Sequence, residues 1–373
     1  MKKLFIITGE YSGSMHATKV VECLKAQNPD IQIEGIGDEH LEKAGVKLFS
    51  NHSKMSAVGI SPSIIFNHIK LIHKLVNYLT KEYKPDLVLM IDYGAFNLFL
   101  SNILKKHKIK MFYYIPPQIW ATRKWRINII KKNIDKVLCI FPFEEDLYKN
   151  KGIDVHYCGH PLVKQLPEKA DRDEFFEHHG LDKSKKLVSI FPGSREFELK
   201  TLLSLFIKSA KMIEKNHPDI QFVISHAPNL SDEIYNKYLK GDNSFKVIKG
   251  ENHALLSVSD SLILASGTVA LEAAIYKIPM LISYRGPVLI YFIYLLVRCI
   301  KMAALPNIIM NKYIVKEFIQ FKATANNIVK ETEKLLFDTK YRDEKIAQLS
   351  EVKSLLSDMY SAEEVANTII KNI

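Results

Sequence analysis

The residues with most to offer chemically sit in short turns. Ser266-Gly267-Thr268 precedes Val269-Ala270-Leu271-Glu272-Ala273, which reads as the opening of a helix. Small residues at a helix start leave backbone N–H groups open to an anion, and the macrodipole adds positive potential, so a phosphate fits there. The same residues also serve as a plain N-cap. Glu272 lies one turn into that helix, where its carboxylate suits ribose hydroxyls or is an ordinary helix carboxylate. Pro192-Gly193-Ser194-Arg195 is a second turn of this kind. Gly193 permits close backbone approach, and Arg195 offers a permanently charged fork of donors; otherwise it is a solvated surface turn. Two such turns in one half of the chain point to a nucleotide diphosphate. Neither is a Walker A loop or a GxGxxG fingerprint, which disfavours NTP hydrolysis and nicotinamide binding.

The elements that position these turns alternate regularly. Apolar runs at Lys3–Ile7, Ile31–Gly35, Asp86–Ile91, Lys110–Ile115, Lys136–Ile140 and Val155–Cys158 are separated by helical patterns such as His16–Ala26, Ile64–Lys81 and Leu98–His107. Val163 to Ser184 is polar and contains Pro167. Alternation resumes at Leu187–Phe191, Gln221–Ile224, Phe245–Ile248, Ser261–Leu264 and Pro279–Ser283, and Thr324 to Ile373 reads as helix only. Strands alternating with helices imply parallel βαβ units. The expected architecture is α/β, with two doubly wound Rossmann-like domains: residues 1–165, residues 166–345 and a helical tail, 346–373. Ligands of such sheets bind beyond the carboxyl ends of the strands, where the distinctive turns lie.

A length of 373 residues accommodates two such domains, and 47% hydrophobic with 25% charged residues excludes a disordered chain. Four cysteines without CxxC spacing argue against a zinc ribbon or redox pair and suit a reducing compartment. Met1-Lys2-Lys3 precedes only a short apolar run and Gly9-Glu10, which reads as a first strand rather than a signal peptide. The longest apolar run, Val288–Val297, falls short of the roughly 20 residues of a spanning helix and reads first as a buried helix, otherwise as a membrane-dipping or acyl-binding segment, so a soluble or peripheral protein is expected.

The motifs, taken together and in order, resemble the lipid-A-disaccharide synthase family of GT-B glycosyltransferases. Gly9-Glu10-Tyr11-Ser12-Gly13 resembles the family's Gly-Glu-Ala-Ser-Gly-Asp turn. Tyr113-Tyr114-Ile115-Pro116-Pro117-Gln118-Ile119-Trp120-Ala121 resembles its Tyr-Tyr-Val-Ser-Pro-Gln-Val-Trp-Ala segment. Phe141-Pro142-Phe143-Glu144, Gly159-His160-Pro161-Leu162, the Arg195 and Thr268 turns, Leu305-Pro306-Asn307 and Glu317-Phe318-Ile319-Gln320 also match. The resemblance implies two domains flanking a cleft. It implies transfer of 2,3-diacylglucosamine from its UDP derivative to the 6-hydroxyl of 2,3-diacylglucosamine 1-phosphate, with inversion, giving the β-1,6 disaccharide phosphate and UDP. UDP would lie against Gly193, Ser194, Arg195, Ser266, Gly267, Thr268 and Glu272, with Asn307 and Gln320 toward the diphosphate or sugar. The first domain would receive the acceptor. No cofactor or metal is implied; the one DxD spacing, Asp171-Arg172-Asp173, falls in the charged connector and reads as a solvated run.

The family's Ile-Asp-x-Pro-Asp-Phe-Asn stretch is Ile91-Asp92-Tyr93-Gly94-Ala95-Phe96-Asn97 here. Ala95 replaces the carboxylate that is the usual candidate base, leaving Asp92, Glu10 and His16 as candidates. Two of them have structural alternatives: a helix cap for Asp92, loop hydrogen bonds for Glu10. The missing carboxylate also motivates a second reading, a non-catalytic relative that binds UDP-sugar or lipid; another GT-B UDP-sugar activity is a third.

Between Lys105 and Lys136 ten Lys/Arg face one acid, Asp135, and both tryptophans, Trp120 and Trp125, lie among them. Trp120, Arg123, Lys124, Trp125 and Arg126 are therefore expected at the acceptor or at an anionic membrane surface, with a solvated basic face over buried Trp as the other reading. No nucleic-acid motif accompanies them. Peripheral association with the inner leaflet of the inner membrane from the cytoplasm follows, with Ile60–Leu79 and Val288–Val297 as candidate apolar surface. Oligomeric state is not readable from the sequence.

Overall fold

The computed structural model describes residues 1–51, 62–239, 241–242 and 244–373. The chain forms two compact units, Met1–Pro161 with Leu356–Ile373, and Leu162–Leu355. The first unit holds β1 (Lys3–Ile7), β2 (Gln32–Gly37), β3 (Lys47–Asn51), β4 (Leu87–Ile91), β5 (Met111–Tyr114), β6 (Lys136–Cys139) and β7 (Val155–Tyr157). They form one parallel sheet in the order β3-β2-β1-β4-β5-β6-β7. β4 is buried along its whole length, as a strand covered on both faces must be.

The second unit holds β8 (Lys186–Phe191), β9 (Ile220–His226), β10 (Lys246–Lys249), β11 (Ser261–Ala265), β12 (Met280–Tyr284) and β13 (Lys316–Ile319), also parallel, in the order β10-β9-β8-β11-β12-β13. Each sheet reverses direction beside its first strand, between β1 and β4 and between β8 and β11. A crevice opens at such a switch point.

Three features depart from the sequence expectation. β3 and β13 are edge strands that the apolar runs do not announce, since half-buried edges with Lys47 and Lys316 carry little hydrophobic signal. The helix expected from His16 starts at Tyr11, so Gly13 and Ser14 lie inside it, buried. Ser14 Oγ shares a 3.0 Å hydrogen bond with Thr8 Oγ1 there.

The tail expected at 346–373 does not stand as one piece. The helix Thr339–Leu355 belongs to the second unit, whereas Ser361–Ile370 belongs to the first. Ala362, Val365, Ala366 and Ile369 form its buried stripe, and it packs on the helix Tyr11–Gln27. Polar contacts fasten it: Tyr114 Oη to Ser361 Oγ at 2.8 Å, Lys110 Nζ donating to the Asn372 carbonyl at 2.7 Å, and Tyr157 Oη donating to the Leu356 carbonyl at 2.7 Å.

Of the apolar surface expected at Ile60–Leu79, Ile60 and Ser61 lie outside the described residues, and the helix Pro62–Asn77 begins just after them. Among the described residues no helix is long and apolar enough to cross a membrane.

Candidate active site

The second unit carries a pocket of about 680 Å³ at the β8/β11 switch, within the roughly 300–1,000 Å³ usual for small-molecule sites. One wall is the turn after β8. Gly193 has φ +113°, and a Cβ there would lie 2.3 Å from Glu198 Oε2, so only glycine fits. Glu198, nearly fully buried, accepts from the backbone N–H of Ser194 at 2.9 Å and of Arg195 at 3.2 Å through Oε2. Its Oε1 meets the Arg195 guanidinium at 3.2 Å. Most of the Arg195 side chain stays exposed (73%), leaving donors for a ligand.

The opposite wall is Ser266-Gly267-Thr268, after β11. The helix Val269–Tyr276 follows, and Thr268 makes no side-chain cap bond. Among the described residues nothing lies within 4 Å of where a Gly267 Cβ would be, so that helix start opens onto free space. Glu272 lines the same pocket with His253 Nε2 3.7 Å from its Oε2; burial raises its pKa, and His253 opposes the shift. Gly193, Ser194, Arg195, Ser266, Gly267, Thr268 and Glu272 thus surround one cavity.

Asn307 and Gln320 do not line it. Asn307 is fully buried; its Nδ2 donates to the Val315 carbonyl and to Glu317, and its Oδ1 accepts from the N–H of Ile314 and Val315 at 2.8 Å each. Its hydrogen-bonding capacity is complete without a ligand. Gln320, at φ +56°, clamps the peptide groups of Gly286 at 3.0 and 2.6 Å. Conversely, Ser225, Asn252 and His253 line the pocket, and none of them belongs to the motifs above. The signal was available: Ser225 lies on β9, next to the switch strand, and Asn252 opens the helix after β10. Asp171 of the DxD spacing caps a helix through the Glu174 N–H at 2.9 Å.

In the first unit the site residues gather after β1 and β4. Asp92 and Tyr93 both have left-handed backbones (φ 49° and 51°) directly after β4, as does Ile115 (φ 52°) after β5. For a β-branched or bulky residue that conformation is strained, and it persists only where the surroundings hold it. Here they do: the Asp92 carbonyl accepts from Asn97 Nδ2 at 2.8 Å and from Tyr113 Oη at 2.7 Å. The half-buried Asp92 carboxyl is pushed above the ordinary carboxylate range by burial and by Glu10, against a backbone hydrogen bond from Tyr93. Glu10 is exposed at the start of the helix Tyr11–Gln27. His16 is half-buried, its Nδ1 has no partner among the described residues, and burial lowers its pKa, which favours the neutral ring. Burial also holds His160 down to about 3, with His16 adding to the shift.

The two tryptophans part company. Trp120 is a core residue, not a surface one: its indole N–H donates to Glu144 Oε1 at 2.9 Å, and its ring meets Phe141 and Phe143 edge-on. Glu144 is itself buried, with a pKa pushed up to about 7 by desolvation. Trp125 is exposed (60%), with the Arg126 guanidinium over its ring. Arg126 Nη1 comes within 3.4 Å of where a Gly94 Cβ would be, at the start of the helix Gly94–Leu104. Arg123 and Lys124 are exposed beside it. A helix start with a half-buried guanidinium can hold a phosphate.

Comparison with known proteins identifies the family and the fold. The lipid-A-disaccharide synthetase family matches residues 4–370. Lipid-A-disaccharide synthase 1 of Legionella pneumophila (strain Philadelphia 1) is 35% identical over 95% of this chain and 93% of its own length. Lipid-A-disaccharide synthase of Coxiella burnetii (strain CbuG_Q212) is 32% identical over 99% and 98%. Among solved structures, UDP-GlcNAc 2-epimerase from Neisseria meningitidis bound to UDP-GlcNAc superposes over the whole of both chains with a TM-score of 0.68 at 15% identity, a likeness of fold. On the match along nearly its full length, the chain belongs to the lipid-A-disaccharide synthetase family.

Proposed function

We propose that the chain joins UDP-2,3-diacylglucosamine to 2,3-diacylglucosamine 1-phosphate, inverting the anomeric centre and releasing UDP. Family membership makes it a lipid A disaccharide-forming, UDP-sugar-dependent glycosyltransferase with the GT-B fold. The observation that carries the finer reading is the second-unit pocket, where the Arg195 turn and the open helix start at Thr268 line a single cavity. The relatives argue against the non-catalytic and epimerase-like alternatives, since they bear the synthase name over nearly their full length.

The acceptor 6-hydroxyl attacks the anomeric carbon as the bond to the β-phosphate oxygen breaks. A base takes the hydroxyl proton, and UDP departs with the bonding electrons. In this reading Arg195 and the N–H groups around Ser266–Thr268 meet the charge growing on the diphosphate, which is worth most in the transition state. Gly193 and Ser194 bring backbone to the phosphates, and Glu272 receives the ribose hydroxyls. The first unit takes the acceptor, with Arg126 and Arg123 toward its 1-phosphate. Asp92 is the base best supported: its raised pKa keeps it a competent acceptor nearer neutrality, and its strained backbone marks a site held against its own preference. Glu10 and His16 stand behind it. The enzyme works in the cytoplasm at the anionic inner leaflet, without a metal.

The test is product formation from the two substrates, followed by mass spectrometry with and without EDTA. Disaccharide phosphate formed equally in both, and lowered about a hundredfold by Arg195→Ala, is the expected result. Free sugar epimer without disaccharide would overturn it.

A further inference from the structure

The helix Val288–Val297, VLIYFIYLLV, contains no charged or polar-chain residue other than two tyrosines. Yet Leu289 is 72% exposed, Phe292 53% and Leu296 86%, with Val288 exposed beside them. Their spacing of three and four residues places them on one stripe, and an exposed apolar stripe of this size marks a docking surface rather than a core. Neighbouring aromatics widen it. Phe321, also exposed, meets the Tyr291 ring edge-on at 6.2 Å, and the exposed Tyr313 donates to the Lys301 carbonyl at 3.3 Å.

The surrounding charge selects the occupant. From Arg285 to Lys322 the sequence carries Arg285, Arg298, Lys301, Lys312, Lys316 and Lys322 against a single acid, Glu317. Glu317 is turned inward, accepting from the N–H of Ala303 and Ala304 and from Asn307 Nδ2 at 2.7 Å. The four lysines are exposed. Lys301, whose carbonyl meets Tyr313, and Lys322, next to Phe321, therefore stand beside the apolar stripe, whereas Lys312 and Lys316 lie near Lys345. A second copy of this chain would set like charges against each other around the stripe. An anionic bilayer supplies acyl chains for Leu289, Phe292 and Leu296 and headgroups for the lysines.

We propose that the Val288–Val297 helix inserts shallowly into an anionic lipid surface, docking the second unit on the membrane. The inference deepens the lipid-substrate reading above and rests on it for the choice of partner, yet its test needs neither sugar substrate.

The intact protein is sedimented with vesicles of phosphatidylethanolamine and phosphatidylglycerol, and with phosphatidylcholine alone. Leu289→Ser/Phe292→Ser/Leu296→Ser is expected to lower the partition coefficient on anionic vesicles at least tenfold. Neutralising Lys301 and Lys322 should lower it on anionic vesicles and leave phosphatidylcholine binding unchanged. Replacing Lys124, Lys131 and Lys132 in the first unit should have the smaller effect. A Leu296→Trp variant reads insertion with little disturbance of the fold: bromolipids should quench its emission beyond the parent's. Parental partition by the folded triple variant, no added quenching, or a shift from dimer to monomer on gel filtration with lipid binding intact would each overturn the proposal.

Discussion

The ring of Tyr93 lies flat against Gly9: a Cβ on Gly9 would meet Tyr93 Cγ at 2.1 Å. The end of β1 and the strained turn after β4 are thereby fitted to each other at the switch point, with Tyr93 stacked in turn on Phe96 at 4.9 Å.

Gly9→Ala must displace the Tyr93 ring and with it the backbone that carries Asp92. Overpacking of this kind costs about 1–3 kcal/mol, read as a lower urea midpoint, and product formation should fall by more than the stability loss explains. Adding Tyr93→Ala should recover stability but not activity; a fully additive double mutant would show that the two residues are not coupled.

The two faces of the Arg195 turn should separate experimentally. Glu198→Gln puts an amide against two backbone donors or against the guanidinium, so unfolding free energy should drop by about 1–3 kcal/mol and UDP binding should weaken with it. Arg195→Ala removes a mostly exposed side chain. Calorimetry should find UDP binding weakened about tenfold or more with the melting temperature nearly unchanged.

If Asp92 is the base, kcat/KM falls as the solution is acidified through its pKa, and that acid limb lies above the normal aspartate range because the folded carboxyl is raised. Asp92→Asn should abolish the limb and lower kcat about 10²–10⁴-fold. The linkage has the opposite sign for stability. A carboxyl whose folded pKa is raised favours the fold below its unfolded pKa and loses that contribution as pH rises through the folded value. At neutral pH the asparagine variant should therefore be no less stable than the parent. A pH profile unchanged in Asp92→Asn would move the role to Glu10 or His16.

Glu144 gives a second, purely structural pH signal. Its folded pKa is pushed up to about 7, so its contribution to stability is full below the ordinary carboxylate range and declines as pH rises through about 7. Glu144→Gln, which can still accept from the Trp120 indole, should flatten that part of the stability profile in urea titrations at several pH values.

Tyr114→Phe should cost about 0.5–1.5 kcal/mol, since it deprives a buried Ser361 hydroxyl of its partner. The drop in urea midpoint should vanish when Ser361→Ala is added.

Much of this site was legible because strand ends and small residues announce themselves. Ser266-Gly267-Thr268 and Gly193-Ser194-Arg195 follow buried apolar strands, and two-fold and 3.6-fold periodicities locate such junctions. Side-chain direction was not legible. Trp120 and Trp125 are five residues apart in one basic stretch, yet one donates to a buried carboxylate and the other faces solvent. Asn307 and Gln320 have the chemistry of ligand contacts, but the Ile314–Val315 backbone and Glu317 occupy one amide and the peptide groups of Gly286 the other. The edge strands escaped notice for a related reason: β13, Lys-Glu-Phe-Ile, needs little apolar pattern because β12 alone pairs with it.

The return of Ser361–Ile370 to the first unit has a consequence for biosynthesis. The described strands of the first sheet all precede Pro161, but the helix that packs on Tyr11–Gln27 follows the whole second unit in the chain. The second unit is an uninterrupted segment and can close as soon as Leu355 emerges. The usual order, in which the N-terminal part of a nascent chain matures first, then cannot run to completion: the Tyr11–Gln27 helix gains its partner only after the second unit has been made.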